Sequence, residues 1–142
     1  MNPTLKVYAI CCVILFIKMY SIGLYQAYSR ITKKSFVNPE DAKAFSKNQV
    51  ATGELPEVEK ANKAYRNDLE NIPIFLALGL VYVMLDCWEQ GAVIYFWTFT
   101  IARVFHTVSY LRSLQPWRTI SFSVGSTMSF IISIHILLKV LG

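Results

Sequence analysis

Charge is what this chain has little of. Only 16% of its 142 residues are charged, 54% are hydrophobic, and mean hydropathy is +0.40. So few charges exclude the ordinary surface of a soluble domain of this length. Cysteine is scarcer: Cys11, Cys12 and Cys87 are an odd set in or beside apolar runs, which gives no disulfide framework. The two histidines, His106 and His135, lie far apart, so a metal site at ligand spacing is missing and no metal is expected. No glycosylation acceptor is usable, because Asn2 is followed by Pro3. There is no internal repeat, no low-complexity tract and nothing like a nucleic-acid module. The opening MNPTLK lacks the charge pattern of a cleaved signal, so the first apolar run reads as retained.

Long apolar runs, by contrast, fill the chain. Four blocks cover residues 5–28, 69–87, 91–111 and 120–141, each bounded by charge, Pro or Gly. A helix needs about 20 apolar residues to cross a bilayer. The expected fold is therefore all-α: one integral membrane four-helix bundle over residues 1–142. Positive charge gathers in the long connection of residues 29–55 and just beyond it, while the turn DCWEQG has no Lys or Arg. Basic loops favour the cytoplasm, which places both termini on the lumenal side.

Within the long connection, Pro39 sets a turn and Asn38 is expected to bond its own backbone. Pro56 suits the first position of a helix. Good helix formers then predict one helix from Pro56 to Leu85, about 45 Å long against a hydrocarbon core of about 30 Å. It should project into the cytosol, with Pro73 a kink point near the membrane surface.

Ionisable groups stand where lipid disfavours them. Lys18 lies in the first block, and Arg103, His106 and Tyr110 share one helix face in the third. Lys18 alone reads as a paired or snorkelling residue. In KAYRNDLENI, the residues Lys63, Arg66, Asn67 and Glu70 share a face with a cation, amide, anion order. An Arg66–Glu70 pair would stabilise the helix by only about 0.2–0.5 kcal/mol. The sharper reading is a site for a zwitterionic, multiply anionic ligand, with carboxylates on the cations and an ammonium on Glu70. Arg118 opens the last block, where the free N–H groups of a helix start also favour an anion. For a thiol ligand, that field supplies the reactive thiolate.

IKMY, NPED, RNDLENI, ARVFHTVSYL and QPWRTISFSVG, in this order along nearly the whole chain, resemble the MAPEG family of membrane-associated proteins in eicosanoid and glutathione metabolism. YSRITKKSFVNPEDAKAF and the ending around QPWR resemble its glutathione transferase branch, and IKMY and YRND lean toward its prostaglandin E synthase branch. The synthase branch leads one to expect Ser and Tyr where this chain has Thr119 and Phe122.

The resemblance implies a homotrimer in the endoplasmic reticulum membrane, and also the mitochondrial outer membrane, with glutathione between subunits toward the cytosol. Carried over by motif, Arg30, Lys63, Arg66, Asn67, Glu70, His106 and Tyr110 bind glutathione. Arg118 stabilises the thiolate with Thr119 assisting; Asp41, Phe122 and Ser123 are weaker candidates. Lys63 replaces a usual Arg, keeping charge but not the forked donor, and Tyr65 replaces a common His. The implied enzyme conjugates the thiolate to lipophilic electrophiles and reduces lipid hydroperoxides. Conversion of prostaglandin H2 to E2 is the second reading, and a non-catalytic lipid-presenting protein or a small transporter are others. Expected partners are glutathione, the lipophilic cosubstrate, membrane lipid and further copies of the chain, with no nucleic acid.

Overall fold

A computed structural model describes residues 2–142. Five helices follow in order: α1 (Pro3–Lys33), α2 (Pro39–Phe45), α3 (Pro56–Met84), α4 (Glu89–Leu111) and α5 (Trp117–Leu141). The four long ones pack as a bundle, with α4 against α1, α3 and α5. Local chemistry sets the starts. Asn2 Oδ1 accepts from Thr4 N at 2.8 Å and Leu5 N at 3.3 Å, capping α1, and prolines stand in the first turns of α1, α2 and α3.

The first helix outruns its expected end, because Ser29–Lys33 stay helical until Lys34 adopts a left-handed φ of 49°. Its last turn brings Arg30 to Glu54 and Lys33 to Glu57, tying the end of α1 to the start of α3. The long connection is ordered by α2, by Phe36 stacked on Phe45 at 5.5 Å, and by Ala51 N donating to Phe36 O at 2.8 Å. Asn38 does not cap the backbone as expected; its Nδ2 donates to Asp41 Oδ2 at 3.2 Å, a charged acceptor one turn away. The third helix starts at Pro56 as expected and continues through Pro73.

The core is aromatic. Phe75 and Phe99 stack at 3.9 Å, Phe96 meets both Phe75 and Tyr82 edge-on, and Tyr8 of α1 donates to Leu76 O at 2.8 Å. Such pairs add to the burial of their area. By length and hydropathy, α1, α3 and α5 are able to cross a membrane. The average for α4 is lowered by Thr100, Arg103, His106, Thr107 and Ser109, all buried, while Ile94, Ile101 and Phe105 face outward. Its polar residues are turned to the bundle interior and its apolar ones to the surroundings, which is how an intramembrane helix carries ionisable groups. The protein is an all-α, multi-pass membrane bundle.

A candidate active site at the charged end of the bundle

Antiparallel packing gathers the end of α1, the start of α3, the end of α4 and the start of α5 at one end. Lys60 Nζ donates to Ser113 Oγ at 2.6 Å, joining α3 to the α4–α5 turn there. Nearly all the site residues expected from sequence fall at this end, in two groups.

The first group lines two adjoining grooves along α3. One, of about 480 Å³, is lined by Glu59, Asn62, Lys63, Tyr65, Arg66 and Leu69. The other, of about 280 Å³, includes Arg30, Asn38, Asp41 and Glu54, and shares Glu59 and Asn62 with the first. The larger alone falls in the range of about 300–1,000 Å³ typical of ligand sites. Lys63 pairs with Glu59 at 2.9 Å, whereas the Arg66–Glu70 pair does not form. Arg66 and Glu70 are exposed and have no ion-pair partner among the described residues.

Arg30 is held by Glu54, donating to Oε2 from Nη2 at 2.5 Å and from Nε at 3.1 Å. These hydrogen bonds hold the Glu54 carboxyl below the usual carboxylate range, against the opposing effect of burial. A depressed carboxylate contributes its stability above the ordinary pKa and loses it as pH falls through the lowered one. A nitroxide label replacing Lys43 in α2 is therefore expected to keep its mobility down to the ordinary Glu pKa of about 4.3 and to loosen as pH falls further. Glu54→Gln should show the loosened spectrum already at neutral pH.

The second group lies between α4 and α5. The Arg118 guanidinium sits 4.8 Å above the Tyr110 ring, which meets His106 edge-on at 5.7 Å, and His106 lies 6.2 Å from Phe122. With the Gln115 amide turned to satisfy its neighbours, its oxygen accepts from Arg118 Nη2 at 2.7 Å and Nε at 3.1 Å, and its nitrogen donates to Thr119 Oγ1 at 3.1 Å. Gln115 is a positioning group that sequence reasoning missed; only its place one turn before Thr119 hinted at it. At the start of α5 one of the first N–H groups is already committed, because Arg118 N donates to Leu114 O at 3.1 Å. Thr119 and Ser123 are exposed on the same helix.

Asn67 leaves the first group and bonds inward. Its Oδ1 accepts from Arg103 Nη2 at 2.7 Å, and the same nitrogen donates to Asp68 Oδ1 at 2.6 Å. The other oxygen of Asp68 takes the Lys18 ammonium and Thr107 Oγ1, the latter at 3.4 Å. Lys18 is thus paired, as read from sequence. Asp68 was missed as a partner, and its signal is periodic: it stands in the buried stripe Ala61, Ala64, Asp68, Ile72, Phe75 as the one acid. Arg103, grouped by sequence with His106 and Tyr110, turns to α3 instead. No cluster of three or more His, Cys, Asp or Glu side chains able to hold a metal ion occurs among the described residues.

This arrangement offers cations and an acid on one face of α3, and a cation held over an aromatic ring at the head of α5. Proteins of known function share the chain. Prostaglandin E synthase of Homo sapiens is 38% identical over 125 residues, covering 87% of this chain and 82% of the relative. Microsomal glutathione S-transferase 1 of Homo sapiens is 42% identical over 112 residues, covering 76% and 72%. The Bos taurus transferase of the same name is 38% identical over 128 residues, covering 87% and 83%. The MAPEG family profile matches residues 8–138, and with relatives at this level of identity across the same span the chain belongs to the MAPEG family.

Proposed function

We propose that this chain is a membrane glutathione transferase whose cosubstrate thiolate attacks lipophilic electrophiles arriving from the bilayer. The observation that carries this reading is Arg118, held over Tyr110 and by Gln115 with no acidic partner among the described residues. Its charge is fixed in place yet uncommitted, as stabilisation of a sulfur anion requires. The thiol proton leaves to water, the sulfur bonds to the electrophilic carbon, and the leaving group departs with its electron pair. The same thiolate would reduce lipid hydroperoxides, two glutathione molecules being oxidised to the disulfide.

The exposed Lys63, Arg66 and Glu70 face supports a site completed by another copy, since charge at the mouth of a spanning helix needs a partner or a wet cleft. In a homotrimer of four-span subunits, glutathione lies between neighbours at the cytosolic end, with Arg30 lining the adjoining groove. The protein then works in the endoplasmic reticulum membrane, and in the mitochondrial outer membrane as a second location. A prostaglandin E synthase reading is supported by the 38% identity to that human enzyme; Thr119 and Phe122 speak against it.

Detergent-solubilised protein should bind glutathione by calorimetry and conjugate it to 1-chloro-2,4-dinitrobenzene. Absence of both overturns the transferase reading, and prostaglandin E2 formation without conjugation favours the synthase. Arg66→Ala and Glu70→Ala should each raise the KM for glutathione roughly tenfold or more, with smaller changes in kcat, because each removes a charge-assisted hydrogen bond.

A further inference from the structure

The proposed glutathione site includes Asn67 but none of the groups that hold it. Arg103 is 1% exposed and Asp68 fully buried. Arg103 Nη2 lies 2.7 Å from Asn67 Oδ1 and 2.6 Å from Asp68 Oδ1, while Lys18 and Thr107 occupy the second Asp68 oxygen. A guanidinium only donates hydrogen bonds, and so does an amide nitrogen. Facing Arg103, Asn67 must turn its oxygen inward. Its Nδ2 then has no partner among the described residues, on a helix face shared with Lys63, Arg66 and Glu70.

We infer that Arg103 is a positioning residue: it fixes the polarity of the Asn67 amide, so that the ligand meets a donor there, and Asp68 with Lys18 fixes Arg103. The ligand group this selects is an acceptor, a carboxylate or peptide carbonyl of glutathione. The donor edge at Asn67 stands next to Glu70, an acceptor edge, and the two together discriminate the acidic from the ammonium end of the tripeptide. The inference rests on the glutathione reading of the site.

The test is glutathione affinity by calorimetry on the detergent-solubilised protein. Absence of binding by the unmodified protein overturns the glutathione reading and this inference with it. Given binding, Arg103→Met removes the donor and leaves Lys18 and Asp68 as a balanced pair; affinity should fall roughly tenfold to a hundredfold. Placed on Asn67→Ala, the same substitution should cost no more than about twofold further. Unchanged affinity in the single variant, or losses that add in the double variant, overturn the inference. Asn67→Asp provides a second measurement that does not depend on Arg103→Met folding. It keeps an oxygen toward Arg103 but replaces the outward donor with an acceptor. Resistance to heat should be kept while affinity falls at least about tenfold; affinity equal to the unmodified protein overturns the inference.

Discussion

Arg118→Ala is expected to lower kcat about a hundredfold or more, with little change in the KM for glutathione. Removing one preorganised donor to a developing anion costs about 10²–10³ in rate. The split follows from the structure. Arg118 is anchored by neutral neighbours, the Tyr110 face and the Gln115 oxygen, so its charge is available to the sulfur. On the proposed reading, the carboxylates and the ammonium of glutathione are left to the α3 face and Arg30. Arg118→Lys should fall between, because an ammonium keeps the charge but cannot reproduce the fork that Gln115 accepts. The check is steady-state kinetics beside the ultraviolet absorbance of the bound thiolate, which should vanish in Arg118→Ala. Normal turnover in that variant moves the thiolate site elsewhere.

Asp68→Ala is expected to be the most destabilising single change, by about 3–5 kcal/mol, since it leaves Lys18 and Arg103 facing one another without an anion. Side-chain exposures of 8% for Lys18, 1% for Arg103 and 0% for Asp68 leave little water to offset that charge. The threefold replacement Lys18→Met, Asp68→Leu and Arg103→Met should recover most of the stability, because a buried ion cluster is seldom better than well-packed apolar residues. Thermal unfolding in detergent measures both. The recovered variant should still bind glutathione weakly, because nothing then holds Asn67. Stability that stays low in the triple variant means that the cluster contributes packing the apolar set does not restore.

Much of the fold was legible. Run length identified the four long helices, and Pro56 marked the start of α3. The end of α1 was misplaced because polarity begins at Ser29, whereas the helix ends only at Lys33: its last turn is held by Glu54 and Glu57, partners far along the chain. Motif and periodicity named most of the candidate site. His106, Tyr110 and Arg118 do come together, and Lys63 and Arg66 share a groove.

Asp68 and Gln115 were not legible as site-supporting groups. Each acts through a partner, and the partner depends on which face of a helix meets which neighbour. The existence of the long helices, the start of α3 at Pro56 and the charged face of α3 arise from residues within a few positions of one another, so the sequence by itself determined them. That Asp68 lies between Lys18 and Arg103, and that Asn67 turns its oxygen inward, was decided only by the tertiary structure. Those contacts join residues 50, 35 and 36 positions apart, and only the packing of α1, α3 and α4 brings them within hydrogen-bond reach.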